Sequence, residues 1–224
     1  MAPYFTKEFR TFFTDLRKHN TREWFHLEKE RYEIVAKKPF HHFVEDLITE
    51  ISKLDPEVRI DGNEAIFRLN RDIRFTKDKT PYKTHMSAII SATGRKDRSI
   101  PGMYIRLSDK ELFFYGGLYK PSQEQLLGIR NAITKDQRVF KKLVGNRTFR
   151  HYFFGGLEKG EQYIRLPAEY TDVLHTIPEI ANKSFMYGAE LDAKLIFTPK
   201  LLSTVMSYWK VAQPVKDFLR NATK

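Results

Sequence analysis

The chain has 224 residues, 41% hydrophobic and 14% aromatic, enough to bury a sizeable core and too apolar for intrinsic disorder. Lys and Arg number 39 against 28 Asp and Glu, a net charge of +11 that suits nucleotides, nucleic acid or anionic lipid head groups. The absence of cysteine excludes disulfides, cysteine-type zinc sites and thiol catalysis.

The N-terminal "MAPYFTKEFRTFF" carries charge where a signal peptide needs an apolar run. No stretch approaches the ~20 apolar residues of a membrane span, so a soluble, cytoplasmic protein without membrane insertion is expected. From residue 5 to 54 the chain reads as helices. Phe5, Phe9, Phe12, Phe13 and Leu16 fall on one helical stripe. Asn20 followed by Glu23 has the spacing of a capping box and predicts a second helix through Trp24, Leu27 and Val35. Pro39 suits a first helical turn, and Phe40, Phe43, Val44, Leu47, Ile48, Ile51 and Leu54 form the cleanest amphipathic pattern.

From residue 65 to 117 the period changes to that of strands. "AIFRLN", "HMSAIISA", "GMYIRLS" and "ELFFYGG" are short, rich in β-branched or aromatic residues and separated by polar loops. Ser108–Glu111 reads as a tight hairpin turn. Connections this short predict an antiparallel sheet of about four strands. Helices return over 121–222, with capping-box spacings at Ser122/Gln125 and Thr134/Gln137 and a stop at Gly145. "QYIRL" and "SFMYGAEL" are further strand candidates. A last helix is expected from about Thr198 to Val211, with Pro214 kinking or restarting it. The fold class expected is α+β: a single domain over 1–224, an antiparallel sheet of about four or more strands, and helices packed on one face.

There is no P-loop, no GxGxxG after a strand and no GxSxG elbow. The histidines never stand at the i, i+4 spacing of a helical zinc pair; His85, which follows a basic loop, is the one worth weighing as a site residue. That loop carries the strongest signal. "IFRLNRDIRFTKDKTPYK" places Arg68, Arg71, Arg74, Lys77, Lys79 and Lys83 around only Asp72 and Asp78. A period of two puts Phe67, Leu69, Ile73 and Phe75 toward the core, and Arg68, Asn70, Asp72 and Arg74 on the other face. Pro81 forces Thr80 into an extended conformation and fixes the direction of Tyr82 and Lys83.

Such a run is usually a solvated face, in which charges blunt a sheet edge and pair with one another. As a site, Arg68, Arg71, Arg74, Lys79 and Lys83 bind phosphate or carboxylate oxygens, and Tyr82 packs against the ligand. Asp72 and Asp78 are then the candidate catalytic carboxylates, orienting the arginines or holding a divalent metal ion for hydrolysis or transfer at phosphorus. Asn20 and Arg22 could border the site; Tyr119, Lys120 and Arg130 could extend it. The alternative partner is nucleic acid, bound without chemistry on a broad basic face with Tyr82, Tyr104 and Tyr119 stacking on bases. A third is an acidic protein docked on the same face.

The string "IFRLNRDIRFTKDKTPYKTH" resembles the hallmark of an uncharacterised bacterial and fungal family, domain of unknown function 2461. "FFTDLRKHNTREWF", "PGMYIRL", "FFYGGLYKP", "GIRNAI", "KSF" and "QPVKDFLRNA" are similar to it as well, so the resemblance covers nearly the whole chain. It implies one domain with the central segment as the place to look, and it implies no particular activity or cofactor.

Overall fold

A computed structural model describes residues 2–97 and 99–224. Its elements are α1 (Lys7–Lys18), α2 (Arg22–Leu27), α3 (Lys29–Tyr32), a π-helical turn (Glu33–Lys37), α4 (Lys38–Ser52), α5 (Gly62–Ala65), β1 (Met86–Ile90), β2 (Gly102–Leu107), β3 (Leu112–Leu118), α6 (Gln123–Lys135), α7 (Gln137–Val144), α8 (Arg147–Tyr152), α9 (Thr171–Thr176), β4 (Phe185–Leu191) and α10 (Leu201–Ala222). The fold is α+β. The strands form one antiparallel sheet in the order β1-β2-β3-β4.

The residues group into two compact units. One holds the chain through Lys96, with Tyr104–Phe114 and Glu190–Met206; the other holds Asp97–Met103, Tyr115–Ala189 and Ser207–Lys224.

In the first unit the helical stripes behave as their period predicts. Phe9, Phe12, Phe13 and Leu16 of α1 are fully buried, as are Phe40, Phe43, Val44, Leu47 and Ile51 of α4. Their rings meet edge-on or tilted, Phe5 to Phe43 at 6.2 Å and Phe12 to Tyr32 at 5.7 Å. The start of α2 differs from the expected capping box. Thr21, not Asn20, accepts from the Trp24 amide, leaving the Asn20 side chain for a long-range role. Asp109, in the turn between β2 and β3, is 5% exposed and takes a two-pronged bond from Arg17 of α1 at 2.7 and 2.8 Å. That turn closes as the sequence suggested, with Ser108 N donating to Glu111 O.

"AIFRLN" is not a regular strand. Asp61 and Glu64 make a reciprocal capping box that draws Gly62–Ala65 into helix, and the following residues pair only through isolated bridges, Ile66 with Ala88 and Asn70 with Tyr82. The fourth strand is instead "FMYGAEL", 66 residues beyond β3.

In the second unit Ser122 and Gln125 do form the predicted capping box. The start of α7 is capped by Asp136, because Thr134 still lies inside α6. Tyr187 packs against Phe149 and Phe153 at 5.3 and 4.9 Å. Its ring also lies over Gly116, where a Cβ would come within 2.3 Å of it. Helix α10 begins three residues later than expected and runs unbroken through Pro214. "QYIRL" reduces to a single bridge between Gln162 and Asn182, and Ile164 is wholly exposed.

Candidate functional site

The basic segment folds back on itself. Arg71 N donates to Pro81 O at 2.8 Å and Lys83 N to Leu69 O at 2.9 Å, so residues 69–71 and 81–83 form the two arms of a hairpin. Asn20 fastens the second arm to the helical layer. Its Nδ2 donates to Tyr82 O at 2.9 Å and its Oδ1 accepts from Tyr82 N at 3.0 Å. The Tyr82 ring, 8% exposed, stacks on Phe25 of α2 at 4.1 Å. Tyr82 therefore anchors the hairpin and shares a shallow groove with Arg22, His26 and Lys29.

At the tip the carboxylates and arginines are matched within the loop. Asp72 accepts from Arg74 Nε at 2.9 Å and from its Nη2 at 2.7 Å. This two-pronged bond holds the Asp72 carboxyl well below the usual carboxylate range. Asp78 accepts from the Thr80 amide at 3.0 Å and from Arg71 Nη1 at 2.5 Å, which together hold it down to about 2. Arg71 Nη1 also contacts the Thr80 hydroxyl. Lys79 Nζ donates to Ile73 O and Lys83 Nζ to Arg68 O, both at 2.9 Å. The side chains of Arg68 and Lys77 make no hydrogen bond or ion pair among the described residues.

The two-residue period holds as far as Ile73 and then fails. Leu69 is buried and Arg68, Asn70 and Asp72 are exposed, as expected, but Phe75 is 93% exposed. The chain turns at the tip, so the alternation that would direct Phe75 inward no longer applies.

Beside the hairpin lies a half-buried cluster that the sequence reading largely missed. The Arg106 guanidinium of β2 sits 4.7 Å from the Phe113 ring of β3 and forms an ion pair with Glu111 at 3.2 Å, while its buried Nε has no hydrogen-bond partner among the described residues. The Lys83 ammonium sits 5.4 Å from the Phe67 ring, and Phe67 meets Tyr104 at 6.2 Å. Burial, reinforced by Arg106 and then Lys83, lowers the His85 imidazole to about 4 and keeps it neutral at physiological pH. The available signal was the one-residue offset of Tyr104 and Arg106 from the buried Met103, Ile105 and Leu107 of β2.

Of the remaining candidates, Arg130 is buried, donates to Ile180 O at 3.0 Å and lies 4.8 Å from the Tyr163 ring. Lys120 sits 5.3 Å from the Tyr119 ring. These residues belong to the second unit, the hairpin to the first. No group of three or more metal-type ligands occurs among the described residues.

A family model described as a conserved hypothetical protein, DUF2461, matches residues 8–218. The chain belongs to this family. The matched span takes in the whole hairpin, the His85 cluster, and both Arg17 and Asp109, so the features above lie inside the DUF2461 region. No curated protein and no solved structure matches the chain.

Proposed function

We propose that this DUF2461 protein binds a phosphate-bearing or other anionic ligand on its basic hairpin, at Arg68, Arg71, Arg74, Lys79 and Lys83, with Arg106 and His85 beside them. One observation carries this: six cations and two carboxylates occupy residues 68–83, and each carboxylate is already shared with an arginine of the same loop. Six cations against two carboxylates leave a surplus of four positive charges on residues 68–83. Asp72 and Asp78 act as resident counter-ions that hold the guanidinium forks in place until ligand oxygens displace them. Both are committed to arginines, which favours binding over a metal-assisted reaction at phosphorus.

The test is a titration with inorganic pyrophosphate followed by amide and imidazole NMR. Amides of 68–83 and the His85 ring are expected to shift, and Arg71→Ala or Arg74→Ala to abolish the shifts. The Arg74–Asp72 pair is exposed, as is the Asp78 end of the other, and exposed pairs contribute ~0–1 kcal/mol, so the melting temperature should barely move. Unperturbed hairpin amides at millimolar pyrophosphate, or unfolding of either variant, would reject the site.

A further inference from the structure

We infer that the bound anion is the backbone of a single-stranded nucleic acid and that Phe75 is a ring on which a base stacks; this rests on the basic site proposed above. Phe75 sits at the hairpin tip, 93% exposed, with the Arg74 guanidinium 5.5 Å from its ring centre and Lys77 and Lys79 on the same short loop. The tip is ordered around it: Thr76 Oγ1 donates to Asp78 O, Thr80 N to Asp78 Oδ1, and Arg74 N to Asp72 Oδ1. A large apolar side chain held outward on a fixed turn, in a chain that buries most of its phenylalanines, marks a contact surface.

The chemistry of the surroundings selects the partner. Besides Arg31 with Phe12 in the helical layer, cation-on-ring pairs form on and beside the hairpin among the described residues: Arg74 with Phe75, Lys83 with Phe67, and Arg106 with Phe113. Charge interleaved with rings matches a polymer in which phosphates alternate with bases, where the ring supplies stacking and the cation meets the backbone. An anionic bilayer would reward apolar groups grouped at one depth with cations behind them. The tip instead offers one aromatic ring among cations.

The experiment is fluorescence anisotropy of the full chain with a labelled oligothymidylate of about 15 nucleotides. Wild type is expected to bind, Phe75→Ala to weaken binding about tenfold, and Phe75→Trp to restore it. Because the ring is solvent-exposed, the melting temperature of both variants should match wild type. Equal affinity of Phe75→Ala for the oligonucleotide overturns the inference. So does equally tight binding of a duplex of the same length, or Phe75-dependent sedimentation with phosphatidylglycerol vesicles in place of oligonucleotide binding. If pyrophosphate still shifts the Lys83 and His85 resonances while the oligonucleotide does not bind, the anion site stands and this inference falls. If neither binds, both fall.

Discussion

At Asp78, the Thr80 amide and the Arg71 guanidinium favour the charged carboxylate, so its proton leaves more readily in the folded loop than in an open chain. A depressed carboxyl stabilises the folded loop above its ordinary value of 3.8 and loses that contribution as pH falls through about 2. The hairpin tip is therefore expected to stay ordered at pH 5 and to loosen between about pH 4 and 2, seen as faster exchange of the Thr80 amide. His85 works in the same direction, in a higher pH window. Its folded value lies below the usual 6.5, so the unfolded chain binds the extra proton and stability falls as pH drops from about 6.5 toward 4. His85→Gln should flatten denaturant midpoints across that range, and an unchanged slope would show that the imidazole is not held neutral. An anion beside Lys83 and Arg106 removes part of the like-charge cost, so sulfate, whose charge is constant there, should bind more tightly at lower pH. Arg17 is a different case. Removing it leaves the buried Asp109 carboxylate, among the described residues, with a weak side-chain contact from Thr14 at 3.3 Å, and Arg17→Ala is expected to cost about 3–5 kcal/mol in chemical denaturation.

Among the elements, the hairpin was legible as a basic strand followed by a fixed turn, but what holds it was not. Asn20 looked like a helix cap because its spacing to Glu23 fits one; Thr21 is one residue closer and takes that role, which frees Asn20 to clamp Tyr82 from 62 residues away. No local pattern encodes such a bond. Asn20→Ala removes both clamp bonds and is expected to cost about 1–3 kcal/mol and to release the Tyr82 amide to exchange, with α2 still formed. In β3 the double glycine lets the backbone of a neighbouring strand come close. Gly117 has φ +98°, and a Cβ there would lie 1.9 Å from Phe185 O. Gly117→Ala should therefore prevent β3 and β4 from pairing at this point, lowering stability or soluble yield more than a typical surface change. Phe75 shows the limit of alternation: a period of two predicts burial only while the backbone stays extended, and the tip reverses it.

For the molecule as a whole, the sequence was most informative where structure is local. The stripes of α1 and α4, the Ser108–Glu111 turn and the Ser122/Gln125 cap all follow from spacing over a few residues. It was least informative where partners are distant, as for β4, whose pairing with β3 spans a long connection that periodicity cannot see. Charge is a global quantity that the sequence states outright, and at +11 it predicts salt-sensitive association. If the four surplus cations of the hairpin each displace one counter-ion from a single strand, the log–log salt slope for oligonucleotide binding should be about −3. A slope near zero would mean that the hairpin charge does not reach the phosphates.

The π-helical turn at Glu33–Lys37 sits between α3 and α4. A wide turn of this kind accommodates one residue more than a regular helix of the same length. Deleting a single residue there would yield a tidier helix, yet would rotate everything before it by about 100° relative to α4. Phe5 would swing away from Phe43 of α4, and with Phe25 goes the stacking partner of Tyr82. One codon removed far from the basic loop would thus be felt as slack at its base.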